Sequence, residues 1–78
     1  MDMRQLVGRN VQRFRLEKGL SQEQLSDKSG FSQQYISDLE LGKRNPTIIT
    51  LFEIASALGV SHVDLVTQTK GRLKKASP

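Results

Sequence analysis

Cysteine is absent from this chain of 78 residues, and histidine occurs once, at position 62. The first absence excludes disulfides and thiolate metal sites. The second leaves too few ligands for an ordinary zinc or catalytic cluster. No apolar run approaches the roughly 18 residues that a membrane helix needs. The start, MDMRQLVGRN, has no apolar core of the kind a secretory signal carries. A cytoplasmic protein without membrane contact is expected. A chain this short buries only about 60% of the surface it exposes when unfolded. The economical solution is a compact all-helical core, to which dimerisation would add burial.

An excess of acid is missing too, but the basic balance is unevenly placed. The formal net charge is +4, yet Lys70, Arg72, Lys74 and Lys75 all lie near the C-terminus. Residues 1–66 hold eight basic and eight acidic side chains and are formally neutral. Affinity for nucleic acid in that part must come from how charge is distributed, not from its total.

Apolar residues recur at helical spacing. Val7, Val11 and Phe14, flanked by Leu6 and Leu16, predict a first helix that stops at Gly19. Ser21 and Gln24 have the spacing of a capping box and open a second, short helix to about Ser29. Gly30 suits a position of positive φ just past a helix end. Phe31 is an apolar anchor and Ser32 the next N-cap. The third helix then runs to about Leu41, with Ile36 and Leu39 as its buried stripe. Thr47 opens a fourth helix carrying Leu51, Ile54, Ala55 and Leu58 on one face. Gly59 ends it, and Ser61 with Asp64 repeats the capping-box spacing before a last short helix around Leu65 and Val66. Five helices and no strand pattern follow. Residues 1–66 are expected to be the folded domain and residues 67–78 a basic, flexible tail that adds non-specific affinity or only solubility.

Two short helices joined by a tight turn with glycine form a helix-turn-helix pattern. The segments VGRNVQRFRLEKGLSQEQLS, KSGFSQQYISDLELGKRNP and TLFEIASALGVSHVDL resemble, in order and spacing, the Cro/phage-repressor (XRE-type) family of DNA-binding domains. The resemblance covers roughly residues 6–66. It implies a lambda-repressor-like fold whose third helix, about 32–41, enters the major groove while the second lies across the backbone. By resemblance, Gln22 and Ser32 meet the backbone, Lys43 and Arg44 lie along the phosphates, and Gln33, Gln34 and Asp38 stand on the recognition helix.

Helix geometry, at about 100° per residue, places Ile36, Leu39 and Glu40 on one face. Gln34, Ser37, Asp38 and Leu41 then lie opposite. The expected base contacts are Gln33, Gln34, Ser37 and Asp38; the expected backbone contacts are Gln22, Ser32, Tyr35, Lys43 and Arg44. Glutamine bonds bidentately to adenine N6 and N7, which phosphate contacts cannot replace as a source of specificity. Asp38 is the anomaly: it repels phosphate, and either accepts a bond from cytosine N4 or pairs with a neighbouring cation. Resemblance also implies a buried ion pair between Arg15 and Glu40, which locks the recognition helix to the scaffold.

One helix-turn-helix reads too few base pairs for useful specificity, so a homodimer on a palindromic operator is expected. Ile49, Val63 and Val66 are apolar beyond the needs of the inner stripe and mark the fourth and fifth helices as its interface. Ser61, His62 and Asp64 share one helical turn and cannot converge as a catalytic triad does. There is no Gly-rich phosphate loop and no metal-ligand spacing, so neither enzyme activity nor a cofactor is expected. Members of this family also act as antitoxins, which bind a toxin protein besides their own operator, or as controllers of restriction-modification systems. The residues leave those alternatives, and contact with the transcription machinery, open. Association with the nucleoid would follow from operator binding.

Overall fold

The computed structural model describes residues 2–68. Five helices follow one another: α1 (Met3–Glu17), α2 (Gln22–Ser29), α3 (Gln33–Glu40), α4 (Ile48–Leu58) and α5 (His62–Val66). The all-helical, helix-turn-helix architecture agrees with the pattern of caps and apolar spacing. Of the expected tail, residues 69–78 lie outside the described residues.

Each helix starts on a side-chain oxygen that satisfies a backbone N–H left free by the first turn. Asp2 caps α1, accepting from the Arg4 amide at 2.7 Å, a cap the sequence pattern had not disclosed. The Arg4 side-chain bond, aided by that amide, holds the Asp2 carboxyl below its usual range. Ser21 and Gln24 form a reciprocal capping box at 2.8 and 3.0 Å, and Ser61 with Asp64 forms another. Ser32 and Thr47 cap α3 and α4. Gly30 ends α2 with φ at 84°, which turns the chain from α2 into α3 without the steric penalty a side chain would bring.

The core is one cluster built from Val7, Val11, Leu25, Ile36, Leu39, Leu51, Ile54, Ala55, Leu58 and Leu65. Phe14, Phe31 and Tyr35 pack against its edge. Two residues of α1 give the cluster its order. Asn10 is buried inside the apolar stripe, and its Nδ2 donates to the carbonyls of Leu65 at 2.9 Å and Thr67 at 3.0 Å. That bond pair satisfies the C-terminal end of α5, a helix too short to hold itself. Gly8 faces the end of α3: a Cβ there would lie 2.5 Å from the Leu39 carbonyl oxygen and 2.6 Å from that of Glu40. Only a glycine lets α1 approach the end of α3 this closely.

Candidate nucleic-acid interface

Eight residues of α3 divide cleanly between two environments. Ile36, Leu39 and Glu40 are buried, whereas Gln33 and Gln34 are exposed and Ser37 and Asp38 half-buried. Ser32 holds the first turn by accepting from the Tyr35 amide at 3.0 Å. The outward face is therefore polar and short, presented from a helix whose inner face is fixed in the core. Leu41 continues it as an exposed apolar cap.

Behind this face, a single carboxylate ties three helices together. Arg15 of α1 places Nε 2.6 Å from Glu40 Oε2 and Nη2 3.1 Å from Oε1. Arg15 Nη1 also donates to the Leu20 carbonyl at 2.8 Å. Gln22 of α2 donates from Nε2 to Glu40 Oε1 at 3.0 Å. The structure thus brings Arg15 and Glu40 into a bidentate pair. It also gives Gln22 an occupation that its expected phosphate contact did not include. Its amide is a strut between α2 and α3, so any backbone contact there must coexist with that bond or use the amide's second N–H.

Asp38 is not an isolated acid. Its Oδ1 accepts from Gln34 Nε2 at 3.0 Å, and its Oδ2 from Arg44 Nη2 at 3.4 Å. The Arg44 guanidinium stands 5.1 Å from the centre of the Tyr35 ring, within cation–π reach. Tyr35 in turn stacks on Phe31 at 5.1 Å. The Asp38 carbonyl accepts from the Lys43 amide at 2.9 Å, which draws the 42–46 loop against the end of α3. Of the expected readers, Gln34 on the helix and Lys43 and Arg44 on the loop are therefore joined through Asp38. Lys43 is exposed and has no ion-pair partner among the described residues. The pairing of Asp38 with a cation six residues away could not be read from helical spacing, because the loop's return is a tertiary event.

A second surface is apolar. Ile48, Ile49, Phe52 and Val63 are 61%, 64%, 56% and 54% exposed. Ile48 and Ile49 lie four and three residues before Phe52, so they form one stripe along α4. The Phe52 ring lies 6.2 Å from that of His62, which carries the stripe onto α5 beside Val63. Of the three residues expected here, Ile49 and Val63 stand on the stripe. Val66 is half-buried and packs on the core instead. Phe52 and Ile48 were missed. Their signal was an apolar residue on both flanks of the Leu51, Ile54, Ala55, Leu58 stripe.

Residues 11–65 match the helix-turn-helix family (HTH_3). A transcriptional regulator of the HTH type from Sinorhizobium fredii, y4dJ, is 68% identical over 69 residues, covering 88% of this chain and 90% of that protein. The control protein C.SmaI of Serratia marcescens is 40% identical over 68 residues, covering 87% of this chain and 81% of that one. Among solved structures, the restriction-modification controller protein C.Esp1396I, a tetramer in complex with its natural 35 base-pair operator, superposes with a TM-score of 0.76 at 38% identity. That match covers 83% of this chain and 86% of the controller.

Proposed function

The chain belongs to the Cro/phage-repressor (XRE-type) helix-turn-helix family, and from that premise we propose that it is a homodimeric operator-binding regulator with α3 in the major groove. The family is one of sequence-specific DNA-binding transcriptional regulators, not of enzymes. The observation that carries the finer reading is the outward face of α3. Two exposed glutamines stand on a helix clamped from behind by the Arg15–Glu40–Gln22 cluster, and Arg44 and Lys43 flank them.

In this reading Gln33, Gln34, Ser37 and Asp38 meet base edges. Gln22, Ser32, Tyr35, Lys43 and Arg44 meet the backbone and set the register. Phosphate contacts give affinity without sequence information, and the α3 side chains supply the discrimination. Binding then falls steeply with salt, as counterions released from the duplex oppose it. The relatives that are control proteins favour a controller over an antitoxin. Selection of bound duplexes from a random pool tests the proposal. A palindrome with half-sites about 34 Å apart is expected, and a pool that shows no enriched sequence would refute it.

Two variants separate the roles. Gln34→Ala should relax preference at one base position, at a cost of about 1–3 kcal/mol against the preferred base. Lys43→Ala should weaken all duplexes alike and lower the salt slope by about one. If Gln34→Ala weakened every sequence equally, its assignment to a base would be wrong.

The apolar stripe on α4 and α5 fits the two-fold interface, where self-complementary contact covers the same residues from both sides. Phe52→Lys is expected to shift the protein from dimer to monomer in light scattering at micromolar concentration. Operator affinity should drop about 30-fold, the scale of a central interface anchor. A Phe52→Lys protein that remains dimeric would move the interface elsewhere.

A further inference from the structure

A carboxylate on a surface that approaches phosphate opposes every encounter with DNA, whatever its sequence. Asp38 nevertheless sits among the groups that would meet the duplex, and its two oxygens are committed differently. Oδ1 takes an N–H of Gln34 and Oδ2 takes an N–H of Arg44. The Arg44 side chain is half-exposed and that of Asp38 is less so. The carboxylate is therefore the fixed member of the pair and the guanidinium the movable one.

We propose that Asp38 is a specificity filter: it holds Arg44 away from phosphate in the free protein, and is satisfied after Arg44 leaves only by a base that presents an exocyclic amino group. The inference rests on the DNA-binding reading above and adds to it the rule by which wrong sites are rejected. An arginine that moves from carboxylate to phosphate exchanges one anionic acceptor for another, so it gains little by itself. What differs between sites is the fate of the vacated Oδ2. An ionised carboxylate only accepts hydrogen bonds. In the major groove, adenine N6 and cytosine N4 can donate to it, whereas guanine O6, thymine O4 and every N7 only repel it.

Gln34 does not have to break its bond to Asp38 for this to work. Its amide nitrogen carries two N–H groups. One can remain on Oδ1 while the second and the carbonyl oxygen face a base. Asp38 thereby orients the glutamine as well as filtering the site. Where the facing base is guanine or thymine the carboxylate is left bare against the duplex, and Arg44 is drawn back to it.

The test compares wild type, Asp38→Asn, Asp38→Ala, Arg44→Ala and the Asp38→Asn, Arg44→Ala double variant on a selected operator and on a scrambled duplex of equal length. Thermal melting checks that each is folded. Asp38→Asn should bind the scrambled duplex about fivefold tighter, the upper range for release of an exposed ion pair. Its gain on the operator should be smaller, because there the lost repulsion is offset by the weakened bond from the base amino group, so that the specificity ratio falls. In the Arg44→Ala background, Asp38→Asn should raise scrambled binding clearly less than it does with Arg44 present, because the part of the gain that comes from freeing the guanidinium is absent. Operator duplexes that lack one amino group, with purine for adenine or pyrimidin-2-one for cytosine, should weaken wild type at one position and spare Asp38→Ala, which has no acceptor, there. Equal gains on both duplexes would overturn the filter in favour of bulk charge, as would a gain independent of Arg44. An amino-group scan that affects both proteins alike would overturn the base assignment. If wild type enriches no sequence at all, it is the operator-binding reading that fails, and the filter with it.

Discussion

Glu40→Ala is expected to destabilise the fold by about 3–5 kcal/mol, the scale for removing one partner of a buried ion pair. Arg15 and Glu40 are only 7% and 8% exposed. Once the carboxylate is gone, the guanidinium keeps just one described acceptor, the Leu20 carbonyl at 2.8 Å. Gln22 loses its acceptor in the same step. The penalty is mainly that of a desolvated cation left unpaired, not the net worth of the bridge. At about 4–8 °C per kcal/mol for a domain of this size, melting should fall by more than about 12 °C. Replacing both charges, with Arg15→Met and Glu40→Leu together, should recover much of that loss. Unchanged melting with lost DNA binding would show that Glu40 serves the interface directly and not the scaffold.

Gly8→Ala pits two effects of known sign against each other. Alanine is the better helix former by about 1 kcal/mol in a helix interior. The added methyl, however, falls 2.5 and 2.6 Å from two carbonyl oxygens at the end of α3. Backbone carbonyls cannot rotate away as a flexible side chain can. Overpacking of this kind costs about 1–3 kcal/mol, so the clash should outweigh the propensity gain. Any relief requires α1 and the C-terminal end of α3 to separate, which also disturbs Glu40 and the loop carrying Lys43 and Arg44. Gly8→Ala should accordingly lower melting and, at a temperature where it is still folded, weaken operator binding. A variant more stable than wild type, with operator affinity unchanged, would mean that the helices have room to part freely.

Much of the candidate interface was legible because it depends on local rules. Ser32 caps α3 by contact with a residue three positions on, and such spacing is written in the chain. The exposure of Gln34 follows from the opposite placement of Ile36 and Leu39, and that of Gln33 from its place at the very start of the helix. Phe52 was less legible, since α4 carries apolar residues around more than half its circumference and periodicity alone does not say which stripe points inward. Asn10 and Gly8 left a faint signal as a polar residue and a glycine inside an otherwise apolar helical face. Their reasons lie at Leu65, Thr67, Leu39 and Glu40, far along the chain.

The sequence by itself determined the five helices, their order and the turn at Gly30, because caps, period and positive φ are properties of neighbouring residues. It also determined which helix would offer glutamines outward. Only the tertiary structure decided that Gln22 braces Glu40, that Val66 belongs to the core while Phe52 stands outside, and that Asp38 is held by Gln34 and Arg44. Each of these turns on which groups the fold brings within about 3 Å, the range over which a hydrogen bond forms. Spacing along one helix cannot specify a partner on another.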